Sequence, residues 1–157
     1  WKLKNDLAGT FTRTQRVGDI HASPLLQNKL DTYFSEDNRI YLEEAVPRTK
    51  INLTNVLTVE DFNFFLRNVY FGEVTQPSNT LANQEVYSGK VVTDLSVGYN
   101  FSESINLTLG ANNLFDLYPD RNRIEDNRSS GRFDWPRNAQ FGIGGRYLFA
   151  RLNLKLQ

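Results

Sequence analysis

Cysteine and methionine are both absent from the 157 residues, and histidine occurs once, at His21. Without cysteine there are no disulfide staples and no thiolate metal sites, which suits a reducing cytosol and a staple-free cell envelope equally. The lone histidine lacks the partners that a metal centre or a Ser/His/Asp arrangement would need. Net charge is missing too: 18 basic and 18 acidic side chains cancel, so no overall field draws the chain toward nucleic acid. Phosphate loops are absent as well. Phe141-Gly142-Ile143-Gly144-Gly145 is followed by a strand pattern where such a loop needs a helix. It reads as a bend or bulge leading into the last strand, and no cofactor is expected. Nor is there a long apolar run, whereas a spanning helix needs about 20 mostly apolar residues. The mean hydropathy of -0.49 decides little, because membrane barrels alternate lipid-facing and lumen-facing residues and average out as polar. The chain opens Trp1-Lys2-Leu3, without initiator or leader pattern, so a piece of a longer protein is expected.

What the sequence does have is alternation. Thr93, Leu95, Val97, Tyr99 and Phe101 fall on one face, with Asp94, Ser96, Gly98 and Asn100 on the other, a period of two that predicts a strand. After Ser102-Glu103-Ser104 the habit resumes with Ile105, Leu107, Leu109 and Ala111, and it returns in Leu148, Ala150, Leu152, Leu154 and Leu156. Earlier, Ile51, Leu53, Leu57 and Val59 lead through Glu60-Asp61 into Phe62 to Phe71, a second hairpin with a tight link. In that aromatic strand Phe65, Val69 and Phe71 share the face of Asn63 and Arg67, so the face is expected to pack against something. Leu3, Leu7 and Phe11 suggest a sixth strand.

The links alternate between short and long. Val59 to Asp61 and Ser102 to Ser104 are tight, while Val17 to Val46, Gly72 to Ser88 and Leu117 to Gln140 are long and would emerge on one side. The first long loop carries a helix signal, Ser23-Pro24-Leu25-Leu26 with Leu26, Leu30 and Phe34 at spacings of four; one short helix is expected there. Strands of about ten to twelve residues suit a tilted crossing of an outer membrane, which needs roughly 9 to 11. The fold class expected is all-β, an antiparallel transmembrane β-barrel segment of six long strands. Barrels begin at about eight strands and an open edge is costly in lipid, so further chain should complete it. The segment alone should not fold robustly in water.

Asp94-Leu95-Ser96-Val97-Gly98-Tyr99, followed by Leu107-Thr108-Leu109-Gly110-Ala111-Asn112-Asn113-Leu114-Phe115-Asp116, resembles the penultimate strands of TonB-dependent outer-membrane receptors. The Asn-Asn-Leu-Phe-Asp string is the specific part, and a long loop and a closing strand, Arg146 to Leu156, follow it as in that family. Where the family usually ends on an aromatic, this chain has Leu156-Gln157. The resemblance implies that residues 1–157 are the last six of about twenty-two strands, with tight turns facing the periplasm and long loops facing outside. It also implies a bacterial outer-membrane location and partners: lipid, the remainder of the barrel and its plug, the TonB complex through an N-terminal part not in this chain, and a small nutrient ligand such as a metal chelate, vitamin or glycan. No enzyme activity and no nucleic acid are implied.

Ligand candidates lie in the last loop and the lumen. Tyr118, Arg121, Arg123, Arg132 and Trp135 combine aromatic and guanidinium groups that grip anionic chelates or sugars, and Arg67 should face inward, since a charge facing lipid costs about 2 to 4 kcal/mol at mid-membrane. The competing reading has the loop arginines (Arg128 among them) paired with Asp120, Glu125, Asp126 and Asp134 on a solvated loop. Asp31, Glu36, Asp37, Glu43 and Glu44 read as a flexible acidic loop, not a catalytic pair. Two other classes of function stay open: a soluble all-β binding or adhesion module, and a hydrolase built on the loop carboxylates.

Overall fold

The computed structural model describes residues 1–156. Eight strands form: β1 (Lys2–Phe11), β2 (Thr49–Val59), β3 (Phe62–Phe71), β4 (Val74–Thr75), β5 (Val86–Tyr87), β6 (Lys90–Ser102), β7 (Ile105–Asn112) and β8 (Tyr147–Leu154). Six of them build one antiparallel sheet in the order β1-β2-β3-β6-β7-β8, while β4 and β5 make a small hairpin of their own. All six expected membrane strands are therefore present, although β7 and β8 are shorter than expected at 8 residues each. The sheet is open, with β1 and β8 as its edges.

The register makes one face continuous. Leu57 stands between Leu3 and Phe64, Phe64 opposite Val97, Val97 opposite Leu109, and Leu109 opposite Ala150. Following the alternation from these pairs, no charged residue of the six strands falls on this face; Lys4, Asp6, Lys50, Arg67, Asp94 and Arg151 all lie on the other. That division is what a hydrocarbon solvent demands. The two polar pairs that do occur on the apolar face satisfy each other across strands: Asn55 Nδ2 donates to Asn5 Oδ1 (2.7 Å) and Thr93 Oγ1 to Asn68 Oδ1 (2.7 Å). Leu7, Leu109, Leu152 and Leu154 stay exposed, so no layer of this chain covers the face, as a soluble sheet would require. Near the tight turns, Phe62 packs on Phe64 (6.0 Å) and Tyr99 (4.7 Å), and Tyr99 on Phe101 (4.9 Å), a row of rings of the kind that marks a membrane interface.

At the tight end, Val59 pairs with Phe62, leaving Glu60-Asp61 as a two-residue turn. Glu60 sits at φ 51°, the left-handed conformation that primed hairpin turns use. At the opposite end the Asn-Asn-Leu-Phe-Asp string closes β7. Asn113, at φ 52°, clamps Leu117 through both halves of its amide, accepting from Leu117 N (2.9 Å) and donating to Leu117 O (2.6 Å). Leu114 N donates to Thr93 O (2.7 Å) and Asn113 N to Asp94 Oδ1 (2.8 Å), tying the turn to β6.

The long loops are more structured than the sequence suggested. The expected helix at Ser23 to Phe34 is reduced to a turn, a 3-10 segment at Gln27–Lys29 and a four-residue helix α1 (Leu30–Tyr33). The longer helix is α2 (Glu36–Glu43), whose cap Ser35 accepts from Asn38 N (3.4 Å). A further single turn, α3 (Glu125–Arg128), lies in the last loop, so one loop helix becomes three. Ser35 followed by two acids is the stronger start signal, a capping oxygen and negative charge both placed at the helix N-terminus. The inner aromatic face does pack as expected: Phe71 meets Phe141 of the glycine-rich segment (5.6 Å).

Candidate ligand site on the loop head

The fully buried large side chains are Tyr87, Ile40 and Val74, and all three belong to the loop region, not to the six-stranded sheet. Folding of this end thus rests on the loops packing together. Thr75 N donates to Glu44 O (3.0 Å), joining the first loop to the second. Asn138 Nδ2 reaches Ala45 O (3.2 Å) and Thr75 O (3.0 Å), bringing in the third. Gln140 Nε2 points at Gly72 O, Tyr87 O and Ser88 O at 3.1 to 3.3 Å.

Glu85 is the centre of this head. Its carboxylate, 4% exposed, accepts Arg123 N (2.9 Å), Asn127 Nδ2 (2.9 Å), Ile124 N (3.4 Å) and Arg123 Nε (3.4 Å). Tyr87 OH donates to Asn122 Oδ1 (2.6 Å) with Glu85 Oε2 farther off (3.3 Å). Asn122 then holds the third loop's backbone through Phe133 O (2.8 Å) and Trp135 O (3.2 Å). Burial pushes the Glu85 carboxyl upward, but the Asn127 amide and the Arg123 and Ile124 N–H groups outweigh it and hold it below the usual glutamate range. Burial first, then the charge of Glu85, pushes the Tyr87 phenol upward, so it remains a donor at neutral pH. A carboxylate depressed in the folded state contributes stability above its unfolded pKa and loses it as pH falls through the folded one. Acidification below the ordinary glutamate range should therefore loosen loops two and three, read as faster amide exchange at residues 122–127 while sheet amides remain protected.

The acidic run of the first loop is not flexible coil. Arg39 bridges Glu36 (2.6 Å), Glu43 (2.7 Å) and Glu44 (3.1 Å), and Arg16 N donates to Glu43 Oε1 (2.8 Å). The three pairs with Arg39 run along α2 itself, and Glu43 also ties the helix to the chain at Arg16, so these carboxylates do not face each other across a cleft.

Four of the six ligand candidates come together. Tyr118 stacks on Trp135 (6.1 Å, 26°) and the Arg121 guanidinium sits 5.6 Å from the Trp135 ring centre. Arg132 and Trp135, with Phe133, Arg137 and Ile143, line an adjoining recess of ≈ 550 Å³. Arg123 lies across a second recess shared with Arg121 and Asp120. Arg67 is elsewhere, on the inner wall: its Nε and Nη2 both donate to Asp94 Oδ2, the former at 2.8 Å. The competing ion-pair reading holds only in part. Arg128 takes Glu125 (3.6 Å) and Asp134 (3.5 Å), Asp120 is taken by Lys90 (2.7 Å), and Asp126 is bonded by Asn83 (2.9 Å). Among the described residues Arg121, Arg132 and Arg137 have no carboxylate within 4.0 Å. Sequence reasoning missed Phe133 and Arg137, although each stands two residues from Trp135 in one continuous stretch and shares the aromatic or guanidinium character of the candidates, and it missed Ile143, which joins the recess only through the fold of the loop.

Solved structures carry the same sheet. The ferric enterobactin receptor PfeA of Pseudomonas aeruginosa, as its G324V mutant, superposes with a TM-score of 0.54 at 19% identity, over 72% of this chain and 17% of that one. The Q482A mutant of that receptor in complex with enterobactin gives 0.52 at 18% identity, over 69% and 16%. The closed form of the ferric-catecholate import receptor Fiu from E. coli K12 gives 0.53 at 17% identity, over 76% and 16%. The shared fold is an antiparallel β-barrel sheet. The chain spans about a sixth of the length of the receptors it matches. No protein-family model matches it, and no curated protein matches it in sequence.

Proposed function

We propose that residues 1–157 are the C-terminal barrel section of a TonB-dependent outer-membrane receptor for energised uptake of a metal chelate, a vitamin or a glycan. The observation that carries this reading is the uncharged apolar face running across six long strands, capped at one end only by a packed loop head. Lipid would cover that face, and further strands and a plug would complete the barrel and fill its lumen. TonB would act through an N-terminal part. The receptors of like fold are named for ferric enterobactin and ferric catecholates, which puts a metal chelate first among the ligand classes. No chemistry on the substrate is proposed; Glu36, Glu43 and Glu44 of the first loop are taken up by Arg39. The full-length protein in an outer membrane should accumulate labelled ferric chelate, and removal of TonB should abolish accumulation. Equal uptake without TonB, or an upstream sequence with no plug, would overturn the reading. A soluble β module would instead purify as a stable monomer without detergent.

Within that function Tyr118, Arg121, Arg132 and Trp135 form the proposed ligand face, with Arg123 at its edge. Guanidinium groups free of carboxylates beside a stacked aromatic pair favour an anionic ligand. Arg67 is proposed to face the lumen contents. Trp135→Ala combined with Arg121→Ala should weaken chelate binding about tenfold or more, since a charge-assisted contact is worth about 1.5 to 3 kcal/mol. Unchanged affinity by titration would remove these residues from the site.

A further inference from the structure

The lipid-facing side of β8 is nearly uniform: Leu148, Ala150, Leu152, Leu154 and then Leu156. A slip of one residue would turn every leucine to the wrong face, but a slip of two keeps the apolar face apolar. Hydrophobic patterning therefore leaves the closing strand's register open in steps of two. Something else must choose among them.

The turn after β7 meets the residues just before β8 at one point. Arg146 N donates to Asp116 Oδ1 (2.7 Å), and Arg146 Nη1 reaches Leu114 O (3.3 Å). Beside it Gly145 is at φ +68°, and a Cβ there would run into Tyr118 Oη and stand 2.6 Å from Asp116 Oδ1, the oxygen to which Tyr118 Oη also donates (3.3 Å). The left-handed backbone calls for glycine, and any side chain there would have to push these two side-chain ends aside. A slip of two residues would bring Ile143 or Tyr147 to that place. A β-branched residue and a ring fit neither the left-handed backbone nor the gap under the carboxylate. Asp116 is itself held, because its N–H donates to Asn113 O (2.9 Å) and the Asn113 turn is bonded to Thr93 and Asp94 of β6.

We infer that Asp116, Gly145 and Arg146 form a register lock that, together with Phe149 lying over Gly110, seats the closing strand β8 against β7 in one of the several positions its leucine face would accept. This gives the aspartate of the Asn-Asn-Leu-Phe-Asp string a specific task. It rests on the chain's own contacts and stands whether or not the proposed ligand class is right.

Residues 1–157 contain no cysteine, so the test needs only that any cysteine elsewhere in the full-length protein be replaced by serine. In the full-length protein in membrane, Thr108→Cys with Arg151→Cys reports the native register, in which these residues are partners; Thr108→Cys with Asn153→Cys and Thr108→Cys with Phe149→Cys report slips of two. Mild oxidation should cross-link the native pair at least about tenfold more than either slipped pair. Adding Asp116→Ala and Gly145→Ala should cut that preference to below about threefold. The exchange Gly145→Tyr with Tyr147→Gly moves the only compatible glycine two places along, so Thr108 should then cross-link to position 153 in preference to 151. Should the alanine variant fail to insert, the exchange variant decides. Retention of the native pair as the dominant product in the exchange variant, or an unchanged preference in the alanine variant, overturns the lock.

Discussion

Glu85→Leu should separate the second and third loops while leaving the six-stranded sheet intact. The substitution strands the Arg123 main-chain N–H and the Asn127 amide, both 2.9 Å from the carboxylate in the native head, and it removes the second acceptor near Tyr87 OH. An orphaned buried donor costs about 1 to 3 kcal/mol, so the loss is about 2 to 4 kcal/mol. Amide exchange at residues 122–127 should rise by about 30- to 1000-fold, at a factor of ten per 1.4 kcal/mol, against little change in β2 and β3. Because Trp135 hangs from Asn122 through its carbonyl, the ligand face should lose order in the same variant. Glu85→Gln, which keeps an acceptor and the shape, should do less damage and should remove the acid sensitivity described above. Equal protection of both regions in Glu85→Leu would show that the head does not depend on this carboxylate.

Gly110→Leu should be the most damaging single change within the sheet. Gly110 lies opposite Phe149 on the lumen side, and an added Cβ would stand 2.5 Å from the Phe149 ring and 2.7 Å from Ser96 Cβ. The ring lies over the glycine because there is no side chain beneath it, which is how sheets use an aromatic to cover a glycine. Overpacking of this kind costs about 1 to 3 kcal/mol for added methylenes, and here the obstruction sits on an edge strand that can be pushed off. Detergent-solubilised protein should show a lower unfolding midpoint in denaturant. Phe149→Ala should recover part of the loss when combined with Gly110→Ala, since the two share the same space. Simple additivity of the two changes would mean that the ring is not what the Cβ meets.

The six long strands were legible because each is specified by its own residues: the period of two in Leu95, Val97 and Tyr99 needs no distant partner to be read. The tight turns and the role of the glycine segment as a bend followed from the same local rules. What the sequence did not disclose depends on meetings across 38 to 68 positions. Glu85 gives no sign that it will accept Arg123 and Asn127, and Gln140 gives none that it will reach Gly72. The small β4–β5 hairpin is two residues per strand, too short for any periodicity to register. Helix α2 is different, since its start is local: Ser35 caps it and Glu36 and Asp37 fill its first turn, whereas the Ser23-Pro24 signal yields only a turn ahead of α1. In the candidate site the residue types and the inward place of Arg67 were recognisable, while the pairing of Arg67 with Asp94 and the arrival of Ile143 beside Trp135 depend on the fold.

The strands alternate in direction throughout the sheet, and β1 and β8 stand at its two edges. Each edge offers one row of unpaired backbone groups, and a neighbour running opposite to it continues the ladder in the same antiparallel pattern. Antiparallel neighbours meet at the same end of the sheet, so a short turn is enough to make each join and no connection has to cross a face that lies in hydrocarbon.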